Sequence, residues 1–157
     1  MKGFTLVETL VAISVLTISL VGPFYAIQIA TRTAFLTRDQ MIASSLAQEG
    51  VEYIRSLRDD NYLAGRTWLY GLDTCLPGPC TVDPTQVPAD ISSSITPLYL
   101  SSTNIYNQQN AGVKSLFTRS VTISQLNARE AKIVVTVTWE RHGTQTVQVT
   151  DIIQDWL

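Results

Sequence analysis

Histidine occurs once, at His142, and cysteine only twice, at Cys75 and Cys80, in a chain of 157 residues. A zinc site takes about four ligands of these types, so a zinc module has no donor set here. The lone histidine lies in Arg141-His142-Gly143, which reads as a solvated turn and not as the seat of a general base. No G-x-S-x-G elbow and no glycine-rich phosphate loop is present. The adjacent acids Asp59-Asp60 precede Asn61 where a helical pattern ends, so they read as solvated residues at a turn. These deficits argue against an enzyme and against any bound metal or cofactor.

Positive charge is missing over residues 67–113, whose only charged residues are Asp73, Asp83 and Asp90. With a net charge of -2 and a pI near 5.3, the chain offers no basic groove, and direct binding of nucleic acid is not expected. Charge of either sign is missing over residues 9–31. A helix of that length crosses the roughly 30 Å hydrocarbon core of a bilayer. The remaining length allows one compact domain of modest size.

What is present begins with MKGFTLVETLVAISVL. One basic residue before an apolar run suggests a secretory signal, but the run is too long, lacks an A-x-A-like cleavage site, and has Glu8 at its start. Lys2 favours a cytoplasmic N-terminus, with the rest of the chain outside. Gly22-Pro23 interrupts the helical pattern. Proline takes away the amide that would bond the Ser19 carbonyl, so a kink or loosened turn is expected, with nearby Ser and Thr hydroxyls as substitute donors.

Beyond residue 31 the pattern becomes amphipathic. Phe35, Ile42, Leu46, Gly50, Tyr53, Ile54 and Leu57 share a stripe, and Arg38, Asp39, Gln48, Glu49, Glu52, Arg55 and Arg58 lie on other faces. A helix from Phe4 to about Asp59 would be roughly 84 Å long. Residues 61–113 are rich in Pro, Gly, Ser, Thr, Asn and Gln, and read as a long connection. Such a length signals either a functional or variable surface loop or an overlooked element. Strand patterns follow in FTRSVTIS (117–124), in AKIVVTVTWE (131–140) and over 146–153, the last two forming a hairpin. Three or more antiparallel strands packed on the amphipathic helix make an α+β domain.

Cys75 and Cys80 bracket Leu-Pro-Gly-Pro. In an exported domain a disulfide closing this loop contributes about 2 kcal/mol on the chain-entropy model. Free thiols are the bland alternative.

Glu8 remains to be explained. A carboxylate near the bilayer centre costs on the order of 3 kcal/mol, less toward the interface, and such residues usually have a partner. A cut after Gly3 would create one, because the new amine of Phe4 would lie one helical turn away, or within reach of Glu8 of an adjacent copy.

The residues MKGFTLVE resemble the prepilin signal of type IV pilins and of the pseudopilins of type II secretion, Gly followed by Phe-Thr-Leu-hydrophobic-Glu, here Gly3 to Glu8. The resemblance implies the type IV pilin fold and cleavage by a prepilin peptidase between Gly3 and Phe4, with N-methylation of Phe4. It also implies that Glu8 neutralises a neighbouring subunit's amine and so sets axial register in a filament. The stretch SLAQEGVEYIRSLRD (45–59) resembles the helix of minor pilins of the type IV pilus modification kind and of some minor pseudopilins. A disulfide in the middle of the chain, and not near its end, favours a low-abundance subunit over a major pilin.

The expected organisation is a leader at 1–3, a transmembrane and assembly helix at 4–31, its amphipathic half at 32–60, a variable connecting loop at 61–113 and a sheet at 114–157. The expected partners are the peptidase, other pilin subunits, and the assembly platform and ATPase. The location implied is the cytoplasmic membrane, with the C-terminal domain outside, then a surface pilus or pseudopilus. A type II secretion minor pseudopilin and a non-polymerising, single-pass anchored binding domain are the alternatives.

Overall fold

The computed structural model describes residues 3, 5–76, 78–86, 90–141 and 143–155. Phe4 and His142 therefore lie outside the described residues. The chain divides into two units, residues 1–39 and 40–157. Helix α1 (Leu6–Leu63) begins in the first and ends in the second.

In the first unit α1 is helical through Gly22 and Pro23 without a break. Its hydroxyls turn back on their own helix. Thr9 Oγ1 donates to the Leu6 carbonyl (2.8 Å), Ser14 Oγ to Val11 (2.8 Å), Thr17 Oγ1 to Ile13 (2.7 Å), Ser19 Oγ to Leu16 (2.8 Å) and Thr31 Oγ1 to Ile27 (2.9 Å). None of these bonds goes to the Ser19 carbonyl, so the hydroxyl donors expected to replace the Pro23 amide are engaged elsewhere. A helix whose hydroxyls are satisfied by its own carbonyls is compatible with a lipid surrounding.

In the second unit α1 presents Ala43, Leu46, Ala47, Gly50, Val51 and Ile54 as buried residues, with Ile42, Tyr53 and Leu57 half-buried beside them. Phe35 belongs to the first unit and is exposed. The helix stops at a Schellman motif: Gly65, at φ 66°, donates to the Tyr62 carbonyl (2.9 Å), and Arg66 donates to Asn61 (2.9 Å). Asn61 is itself buried, and its amide donates to the Tyr70 carbonyl at 2.8 Å, which folds the following segment against the helix end.

Residues 61–113 are a connection of turns and irregular backbone that also carries short elements. A 3-10 turn (Asp73–Cys75) leads to β1 (Thr81–Asp83), which pairs with β2 (Asp90–Ser92) in a two-stranded antiparallel sheet. Strands β3 (Pro97–Leu100) and β4 (Tyr106–Asn107) then join the main sheet. Strands of two to four residues are too short to show alternation, which is why the composition hid them.

The main sheet is completed by β5 (Val113–Asn127), β6 (Glu130–Glu140) and β7 (Thr144–Gln154), in the order β4-β3-β5-β6-β7, antiparallel throughout. The expected strands at 117–124, 131–140 and 146–153 all form, each within a longer strand. The inner face carries Phe117, Val121 and Ile123 of β5, Ala131, Ile133, Val135, Val137 and Trp139 of β6, and Ile153 of β7. Gly50 lies directly against this face. A Cβ on it would lie 3.0 Å from Val135 Cγ1.

Candidate functional site: the N-terminal segment and its supporting domain

The N-terminal site is built from a helix start. Thr5 stands just before α1 and accepts a hydrogen bond from the backbone N–H of Glu8 on its Oγ1 (3.3 Å). Its carbonyl accepts the N–H of Thr9 at 3.2 Å. Thr5 is thus the N-cap and Glu8 the third helical residue, the spacing of a capping box. The first-turn carboxylate also faces the positive end of the helix dipole. The sequence reading missed this local role, although the Thr-x-x-Glu spacing carried the signal. Glu8 is exposed, and no ion pair involves it among the described residues.

The apolar surface that follows is bare. Leu6, Val7, Leu10, Val11, Ile13 and Leu16 through Phe24 and Tyr25 are exposed, Ile18 at 75% and Phe24 at 62% of their full surface. The helix is long and apolar enough to cross a membrane, and none of its most apolar window is buried within the chain. Water is a poor solvent for such a surface, so it demands lipid or another protein.

In the second unit Cys75 and Cys80 form a disulfide, with Cα atoms 4.9 Å apart and both residues fully buried. Cys80 is also bridged to the central strand, since its N–H donates to the Val121 carbonyl and the Val121 N–H donates back, each at 2.8 Å. The bridge thereby pins the segment before β1 to β5.

A second residue the sequence reading missed is Arg119. It occupies an inward position of β5, between Phe117 and Val121, and is fully buried. Its guanidinium donates to Glu49 Oε2 (2.6 Å), to the Leu46 carbonyl (3.1 Å) and to the Val82 carbonyl (2.9 Å). One side chain thus ties α1, β1 and β5 together. The alternation in FTRSVTIS, which places Arg119 on the apolar face, was the available signal.

Tyr53 is half-buried, and its hydroxyl proton is held more tightly than usual, first by burial and then by the charges of Asp83 and Asp60. Asp83 is itself buried. Its Oδ1 accepts from the N–H and hydroxyl of Thr85, and its Oδ2 accepts from the N–H of Gln108 at 3.0 Å. Among the described residues, no group of three or more His, Cys, Asp or Glu side chains gathers in a metal-binding arrangement.

The predicted residues fall into two places. Gly3, Glu8, Gly22 and Pro23 lie in the first unit, and Cys75 with Cys80 in the second. Phe4, the residue expected to be cut and methylated, lies outside the described residues.

Residues 1–22 match the family model of the prokaryotic N-terminal methylation motif. Comparisons with curated proteins and with solved structures return no match. The motif implies processing by a prepilin peptidase and entry into a pilus-like assembly system. A methylation motif, a bare apolar N-terminal helix and an antiparallel sheet that receives the helix's second half are together consistent with a type IV pilin-like protein.

Proposed function

We propose that the protein is a non-enzymatic structural subunit, a minor pilin, of a type IV pilus or related filament. Cleavage after Gly3 leaves a mature chain beginning at Phe4, whose new amine is then N-methylated. The first helical half holds the subunit in the membrane, with the sheet domain outside the cytoplasm. The assembly platform and its ATPase move the subunit from there into contact with other pilins. The observation that carries this reading is the bare apolar surface of residues 6–29, which the methylation motif of residues 1–22 opens. That surface exchanges lipid for neighbouring helices at little cost, because both are apolar.

Glu8 serves this exchange as a registry device. Its carboxylate pairs with the Phe4 amine of an adjacent subunit, and burying both charges together avoids leaving either one unpaired. The Thr5 N-cap holds the backbone of Glu8 in the first turn, so its carboxylate stays at the start of the helix while the partner amine arrives. A minor pseudopilin of type II secretion would use the same parts. The minor-pilin assignment rests on the helix stretch 45–59 and on a disulfide placed mid-chain.

The test is the intact mass of the protein recovered from membranes and from sheared surface filaments, with and without reductant. A chain beginning at Phe4 with one added methyl group is expected. Glu8→Ala is expected to remain in the membrane and to be lost from filaments. An uncut chain that still carries Met1 to Gly3 would overturn the pilin reading and leave an anchored binding domain.

A further inference from the structure

Within the second unit, the end of α1, the segment that follows it and the end of β7 enclose a small cavity of about 190 Å³. Tyr62, Leu63 and Trp68 give it apolar walls, and Arg58, Asp59 and Asp155 bring charge to it. Its frame is fixed by backbone contacts. The buried Asn61 amide donates to the Trp68 carbonyl at 3.4 Å and to the Tyr70 carbonyl at 2.8 Å, which holds Trp68 beside the helix end. On the far side the Asp155 N–H donates to the Arg129 carbonyl at 2.8 Å. Pockets for drug-sized ligands run from roughly 300 to 1,000 Å³, so this one suits a single short chain and is too small for a nucleotide or a flat cofactor.

The charges select the sign of the guest. Asp59 and Asp155 outnumber Arg58, whose Nε and Nη2 both donate to Asp59 Oδ1, at 2.9 and 2.8 Å. That pairing leaves Asp155, which enters no ion pair among the described residues. Arg66, close to Trp68 in sequence, lies instead over the Tyr70 ring at 5.0 Å. Gln154 also lines the cavity, but its Nε2 donates to Glu130 at 2.8 Å, so donors that would favour an anion are engaged elsewhere. Tyr62 and Leu63 end α1, whose last turn has no basic residue. The partial negative charge of a helix C-terminus attracts cations and repels anions, and aromatic faces do the same.

We propose that this cavity binds a primary alkylammonium group carried on an aliphatic stem of about four carbons, with the stem against Tyr62, Leu63 and Trp68 and the ammonium at the Asp155 carboxylate. A lysine side chain and a free linear amine share this chemistry. A neutral alcohol of the same length fills the walls and leaves Asp155 without a counter-charge. The site lies wholly within residues 40–157, so it stands whether or not the subunit enters a filament.

NMR titration of the full chain in uncharged detergent, near neutral pH where an alkylamine is protonated, tests this with n-butylammonium as the probe and 1-butanol as its uncharged match. Butylammonium is expected to shift the Asp155 amide and Trp68 indole signals to saturation, to bind about ten-fold more tightly than butanol, and to weaken as salt is added. Asp155→Asn is expected to remove that advantage. Equal affinity for the two probes overturns the proposal, as does an advantage that survives Asp155→Asn or shifts confined to other residues. So does binding that appears only after residues 156–157 are deleted, which would make the chain's own end the occupant. Nα-acetyl-lysine methylamide separates the two sources: binding comparable to butylammonium identifies a lysine of another polypeptide, and its rejection identifies a free amine. If Asp155→Asn does not fold, the two probes on the unaltered chain still decide.

Discussion

Arg119 and Glu49 show how unequal the two halves of an ion pair can be. The guanidinium is 1% exposed and the carboxylate 42% exposed, at a separation of 2.6 Å. Glu49→Ala strands a buried cation, and is expected to cost about 3 kcal/mol. Arg119→Met leaves a carboxylate that water can reach and a Leu46 carbonyl still engaged by its own helix, but it takes the guanidinium donor from the Val82 carbonyl, at about 1–3 kcal/mol. Urea titration of the full chain in detergent, with both single variants and the double variant, separates these costs; additivity would show that the pair is not coupled. Tyr53 gives a pH signature. Its proton is held more tightly in the folded chain than at the ordinary value of 10.0, so its contribution is complete below that pH. As pH rises through 10.0 the unfolded chain releases the proton first, and stability falls. Tyr53→Phe is expected to flatten this alkaline limb, as read by stability against pH. Sequence alternation puts Arg119 on the apolar face of its strand but does not name its partners, because a period fixes a face and not what lies across it.

At the scale of elements, the contact between α1 and the sheet depends on what Gly50 lacks. A Cβ there would lie 3.0 Å from Val135 Cγ1 and 3.4 Å from Arg119 Cδ, and Val135 is fully buried with no room to move away. Gly50→Val is expected to separate helix from sheet at a cost of about 2–3 kcal/mol, measured by thermal unfolding. The helical stripe from Ile42 to Leu57 was legible because 3.6-residue periodicity persists over four turns. The connecting elements were not, since strands of two to four residues are too short to show a period. Gly112 belongs to this group. It sits at φ 119°, and a Cβ would collide with the Leu100 carbonyl where β3 meets β5. Gly112→Ala is expected to cost on the order of 3 kcal/mol and to release β3 and β4 first, seen as faster amide exchange there. Reduction of Cys75–Cys80, which closes a short loop, is expected to cost about 2 kcal/mol, measured as a lower urea midpoint with reductant.

For the whole molecule, the two units face different solvents. Residues 40–157 bury a core of their own around Ile54, Val121, Ile133 and Val135, while the apolar side chains of residues 6–29 are bare. The second unit is therefore expected to unfold cooperatively in detergent, and the first to keep its helicity under the same urea. Far-ultraviolet circular dichroism, read with the fluorescence of the three tryptophans, all of which belong to the second unit, checks this; coincident loss of both signals would contradict it.

Local chemistry determined much of this protein from sequence alone. The prepilin-type motif, the uncharged run, the helical stripe and the β6–β7 hairpin all depend on residues near one another in the chain, so periodicity and spacing carry them. Tertiary structure alone decided the rest: the burial of Arg119 against α1 and β1, the Cys80–Val121 bridge, the widening of the sheet by β3 and β4, and the open edge of β7. The first two join residues distant in sequence, and the others depend on the order in which the folded sheet arranges its strands. Their partners are fixed by which backbone groups and cavities the fold leaves unsatisfied, and no local pattern records that.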